Sequence, residues 1–120
     1  MTTGVSIDLE AIENLRALSP DDGDAFLKDI VGIFLDDTPS RIVELKGALA
    51  EGDAPKFTRA AHSIKGSSSN LGALAVREAA ARLEQVSRNQ GLSGLELGIA
   101  DLEAAFEAAK SALEKIISPS

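Results

Sequence analysis

The chain of 120 residues contains no cysteine, no tryptophan and no tyrosine, and only one histidine. Without cysteine there is no disulfide framework, no thiolate nucleophile and no zinc-thiolate site. Aromatic residues make up 3% of the chain, all four of them phenylalanine, against an apolar fraction of 44%. Any core must therefore be built of Leu, Ile, Val and Ala with the four phenylalanines, which is the composition of a helical bundle. No run of about 18 apolar residues is present to span a bilayer. The opening Met1-Thr2-Thr3-Gly4-Val5-Ser6 lacks the basic and apolar stretches of a signal peptide, so the cytoplasm is the expected compartment. Twelve Lys and Arg against 19 Asp and Glu leave a net charge of −7. That balance argues against nucleic acid and anionic membrane as partners, since both select a basic face, and favours a protein partner with a basic or mixed surface.

The length fits one domain spanning 1–120. Leu9, Ile12 and Leu15 or Arg16 follow helical spacing and predict a short first helix over about 7–18, stopped by Ser19-Pro20-Asp21-Asp22-Gly23. Leu27, Ile30, Val31, Phe34, Ile42, Leu45 and Leu49 share one side of a second helix over about 24–49, with a bend expected at Pro39. Gly52 closes it, and Pro55 fits the first turn of a third helix. Phe57, Ala61, Ile64, Ser68 and Leu71 form the inward stripe of that third helix. A fourth carries Leu74, Val76, Ala79, Ala80, Leu83 and Val86 and ends at Asn89-Gln90-Gly91. A fifth, over about 93–117, repeats Leu95, Ile99, Leu102, Phe106, Ala109, Leu113 and Ile116. Four long amphipathic segments with short connections predict an all-α, antiparallel up-down-up-down four-helix bundle over about 24–117, with the short helix across one end. Gly66-Ser67-Ser68-Ser69-Asn70 has the propensity of a loop, glycine costing about 1 kcal/mol in a helix interior. The phase of Ser68 and Leu71 with Phe57, Ala61 and Ile64 nevertheless favours a continuous third helix.

On that helix His62 lies roughly 100 to 180° from the inward stripe and points outward, with Thr58, Lys65, Gly66 and Ser69 within roughly 60° of it. A neutral imidazole is a nucleophile toward phosphorus, and a free imidazole titrates near pH 6.5. Lys65 supplies a cation for phosphoryl oxygens, Ser69 a hydroxyl, and Gly66 open space. Phosphoryl transfer depends mainly on positioning and charge stabilisation, so an exposed histidine on a rigid helix suits it if a partner supplies the rest.

The run His62-Ser63-Ile64-Lys65-Gly66-Ser67-Ser68, with Ala60-Ala61 before it, Gly72-Ala73 after it and Phe34-Leu35 four residues ahead of Pro39, resembles the histidine phosphotransfer (HPt) family. The resemblance implies that His62 is the phosphorylated residue, through Nε2, and that Lys65 and Ser69 lie near the phosphoryl group. Gly66 would admit the partner, with Thr58 beside it and Glu84 as a polar neighbour of the histidine. It further implies a carrier in a multistep His-Asp phosphorelay that exchanges phosphoryl groups with receiver domains of response regulators or of a hybrid histidine kinase. Such a carrier has no cofactor of its own, the receiver contributing the aspartate and the Mg²⁺, and performs no catalysis alone. A monomer is expected, because the apolar stripes are consumed inside one bundle.

The rival is a non-phosphorylated helical adaptor using the same face, which has no need of His62 with Lys65 and Gly66. Lys65-Gly66-Ser67 lacks the leading glycine and strand of a phosphate-binding P-loop, Ala61 standing where that glycine belongs. Asp21-Asp22 and Asp36-Asp37 are adjacent pairs whose side chains diverge, so they read as solvated acids and no metal site is expected. Ser67 and Ser68 read as packing or helix-backbone residues.

Overall fold

The computed structural model describes residues 7–18 and 24–117. It contains five helices: α1 (Leu9–Leu18), α2 (Ala25–Glu51), α3 (Ala54–Asn70), α4 (Leu74–Gln90) and α5 (Glu96–Ile117). The last four pack α2 on α3, α3 on α4, α4 on α5 and α5 back on α2, closing a four-helix bundle of 47 × 30 × 20 Å. The stop expected at Ser19 to Gly23 lies outside the described residues.

The connections are short because each has local chemistry that ends one helix and starts the next. Gly52 adopts φ 73° at the end of α2, and the Asp53 N–H reaches back to the Ala48 carbonyl at 2.9 Å. Asp53 then caps α3, its carboxylate accepting from the Lys56 N–H at 3.1 Å with Pro55 in the first turn. Helix α2 passes Pro39 as one continuous element. Proline has no N–H for the Leu35 carbonyl, and the hydroxyl of neighbouring buried Thr38 has no partner among the described residues.

The inward stripes hold, although Ile30, Leu49, Leu74, Ala79, Val86 and Ile116 are only half-buried. Leu27, Val31, Phe34, Ile42 and Leu45 of α2, Phe57, Ala61, Ile64 and Ser68 of α3, Val76, Ala80 and Leu83 of α4, and Ile99, Leu102, Phe106, Ala109 and Leu113 of α5 are all buried. Phe34 and Phe106 meet across the bundle with ring centroids 5.6 Å apart. In α1 the expectation fails for Leu9, which is 64% exposed. Its place is taken by Ile7, which precedes the helix, is buried, and forms an isolated antiparallel bridge with Ala73.

The polar run on α3 stays helical because its hydroxyls are spent on the helix itself. Ser68 Oγ donates to the Ile64 carbonyl at 2.7 Å, Ser69 Oγ to Lys65 at 2.9 Å, and Ser67 Oγ to Ile64 at 3.3 Å. The helix ends where Gly72 takes φ 67°.

Gly72 also carries α1. Its carbonyl accepts from the Asp8 N–H at 2.7 Å, and a Cβ placed on it would lie 2.8 Å from the Cβ atoms of Ala11 and Asp8 and 2.9 Å from the Asp8 carbonyl oxygen. Gly72→Ala therefore combines a left-handed backbone cost of about 1 to 2 kcal/mol with overpacking of about 1 to 3 kcal/mol. Denaturant unfolding is expected to show a loss of about 2 to 5 kcal/mol, with the Asp8 amide losing its hydrogen-exchange protection. A variant as stable as the parent would show that α1 is not held at this glycine.

Candidate functional site

His62 sits near the middle of α3, with its side chain 64% exposed. Across the α3/α4 seam stands Glu84, whose carboxylate is 5% exposed and receives three cationic or N–H groups. His62 Nδ1 lies 2.8 Å from Oε2, Lys65 Nζ 2.7 Å from Oε1, and Arg88 Nη2 2.8 Å from Oε2. Burial alone would raise the Glu84 carboxyl. Hydrogen bonds from Lys65, His62 and Arg88 outweigh it and hold the group at about 2.

This fixes the imidazole. An ionised carboxylate only accepts, so His62 Nδ1 must donate and carries the ring proton. In the neutral ring the lone pair is then on Nε2.

Beside the ring a cleft of about 530 Å³ is lined by Ala54, Pro55, Thr58, Arg59, His62, Ser87 and Arg88. Thr58 and Ser87 bolt its floor across the seam with Oγ1 and Oγ 2.6 Å apart. Because the Ser87 hydroxyl donates to the Glu84 carbonyl at 3.1 Å, the Thr58 hydroxyl is the donor to Ser87. On the other side of the seam Lys65, Ala81, Glu84, Gln85, Arg88 and Asn89 line a second hollow.

Of the residues grouped around His62 by helical projection, Lys65 is brought to the same carboxylate as the ring. Thr58 lines the cleft, and Gly66 is exposed one turn away with nothing within 4 Å of the position a Cβ would occupy. Ser69 is exposed with its proton committed to the Lys65 carbonyl. Glu84, expected only as a polar neighbour, is the centre of the site. Arg88, Arg59 and Ser87 were not anticipated. The i, i+4 spacing of Glu84 and Arg88 is the signal that points to Arg88 once Glu84 is placed.

The Hpt domain family model matches residues 29–112. The chain belongs to the histidine phosphotransfer family. Among solved structures, this HPt chain is similar to histidine-containing phosphotransfer protein B from Pseudomonas aeruginosa, at 26% identity and a TM-score of 0.84, covering 93% of this chain and 94% of that one. It is similar to a histidine-containing phosphotransfer protein from maize, at 26% identity and a TM-score of 0.79, covering 98% and 91%. The HPt domain of a sensor hybrid histidine kinase from Shewanella shares the fold, at 19% identity and a TM-score of 0.69, covering 92% and 97%. No curated protein matches the chain. Family and fold together make it a phosphocarrier of the phosphorelay type.

Glu84 gives this HPt site an acid signature. Its folded pKa, near 2, lies below the ordinary carboxylate value of 4.5, so its contribution is fully present above about pH 4.5 and is lost as pH falls toward 2. The difference corresponds to roughly 3 kcal/mol. Urea titrations at pH 7, 5, 4 and 3 are expected to show stability falling through this window, with Glu84→Gln less stable at pH 7 and flatter below pH 4.5. Parallel pH profiles for the two proteins would contradict the ion cluster.

Proposed function

We propose that His62 is the phosphoryl-accepting residue and that it reacts through Nε2 with an aspartyl phosphate on a receiver domain. The observation that carries this reading is the hydrogen bond from Nδ1 to the buried, ionised Glu84, which leaves Nε2 as the exposed nucleophile. Nε2 attacks phosphorus, the phosphorus–oxygen bond to the aspartate breaks, and the aspartate leaves as a carboxylate. The ring keeps its proton at Nδ1 and becomes a cationic phosphoimidazolium. Glu84 stabilises that cation, and Lys65 and Arg88, held on the same carboxylate as the ring, supply positive charge to offset that of the phosphoryl oxygens.

Among the described residues no cluster of His, Cys, Asp and Glu has the arrangement of a metal site, and no helix is long and apolar enough to cross a membrane. In this reading the receiver provides the aspartate, the Mg²⁺ and the remaining catalysis, and the carrier works in the cytoplasm as a monomer without a cofactor of its own. Gly66 leaves the approach to Nε2 open and Thr58 braces the cleft. Ser69 reaches the phosphoryl group only if its hydroxyl leaves the Lys65 carbonyl.

Incubation with a panel of phosphorylated receiver domains tests the assignment. The expected result is label on this chain that is labile to acid and stable to base. Absence of label from every receiver, with the fold intact, would favour the adaptor reading.

A further inference from the structure

The net charge of −7 conceals a polarised molecule. Residues 54–90, which form α3 and α4, carry six basic side chains, Lys56, Arg59, Lys65, Arg77, Arg82 and Arg88, against only Glu78 and Glu84. That is a net +4, which leaves −11 on the rest of the chain. Helix α3 has no acidic residue at all, whereas α2 carries five acids to three bases and α5 five acids to two. Charges in 0.15 M salt are screened over about 8 Å. The bundle is 20 to 30 Å across its shorter axes, so an approaching molecule senses the nearer face rather than the sum.

Lys56 is spent on Glu51 and Arg82 lies roughly 160° from Glu84 in projection, so the basic face about His62 is formed by Arg59, Lys65, Arg77 and Arg88. Arg59 precedes His62 by one turn of α3, and Arg77 lies two turns before Glu84 on the same side of α4, roughly 20° away in projection. Both arginines are exposed, and among the described residues neither forms an ion pair. Lys65 and Arg88 share the single carboxylate of Glu84, so the site itself keeps an uncompensated positive charge.

We infer that the α3/α4 face electrostatically steers an acidic protein surface onto His62, while the acidic α2/α5 side repels the same partner from the wrong approach. This rests on the phosphocarrier reading. A receiver site that holds Mg²⁺ must present clustered carboxylates, so its reacting face is acidic. The sequence-level expectation of a basic or mixed partner surface, drawn from net charge, is thereby reversed for this face. Steering acts on the association rate and is erased by salt, whereas contacts inside the formed complex are less affected.

Because the full chain has no tryptophan or tyrosine, the intrinsic fluorescence of a tryptophan-containing, unphosphorylated receiver domain of net negative charge reports binding without overlap. In stopped-flow, association is expected to slow at least tenfold between 25 and 400 mM salt. The double variant Arg59→Glu with Arg77→Glu should associate at least tenfold more slowly at low salt and lose most of the salt dependence. Glu107→Lys, in the α2/α5 groove, should change the rate less than twofold.

Association that is independent of salt, or equal slowing by both variants, would overturn the inference. So would vesicles of anionic lipid binding the chain as tightly as the receiver does. His62→Gln is expected to keep the full salt dependence of binding. For the parent chain, steered binding without phosphoryl transfer sinks the phosphocarrier reading alone, transfer with salt-independent association sinks the steering alone, and absence of binding to any acidic receiver sinks both.

Discussion

Replacing His62 with glutamine is expected to reduce phosphoryl acceptance to background while leaving the bundle intact. The ring is 64% exposed and makes one side-chain hydrogen bond, to Glu84, which retains Lys65 and Arg88 in the variant. Loss of one partly exposed hydrogen bond is worth about 1 kcal/mol, and the glutamine amide can restore part of it. Helical circular dichroism and the unfolding midpoint should stay close to those of the parent, while acid-labile label from a phosphorylated receiver disappears. Full labelling of the variant would place the phosphoryl group elsewhere, and a large loss of helix would make the histidine a structural residue.

Gly66→Gln is expected to separate function from stability in opposite directions. Nothing lies within 4 Å of a Cβ at Gly66, so the fold has room for a side chain there. Glutamine is the better helix former, and the variant should gain roughly 0.5 kcal/mol. Its side chain would nevertheless stand one turn from His62, in the space through which a receiver must bring its aspartate. The second-order transfer rate should fall at least 100-fold, with receiver binding weakened in parallel. Transfer and affinity at parental levels would show that Gly66 does not keep that approach open.

The contrast among the glycines explains why only part of this was legible. Gly66 stands out in the sequence because a residue that weakens a helix lies one turn after the single histidine. Gly72 is required, and Gly98 favoured, by distant neighbours. A Cβ at Gly98 would come within 2.6 Å of Leu83 Cδ2 on α4, and no local pattern announces that contact. Leu9 failed for a related reason. Helical spacing placed it inward, but α1 is oriented by the attachment of Ile7 and Asp8 at the α3–α4 turn.

Local periodicity is carried by residues three and four apart, and it was enough to place the helices, their inward stripes and the outward direction of His62. It also kept α3 continuous through a serine-rich run whose hydroxyls, once structure is formed, bond to the preceding carbonyls. The His62, Lys65 and Gly66 constellation and the family resemblance were likewise readable from the chain. What the tertiary structure alone decided is the partnership across the α3/α4 seam. Glu84 is 22 residues from His62, and only the register of two antiparallel helices brings its carboxylate to Nδ1, buries it and sets Lys65 and Arg88 on it. The tautomer of the ring follows from that contact. The basic face follows from helix placement as well, because a net charge is a sum over sequence whereas an approaching partner senses only the charges within a screening length of the surface it meets.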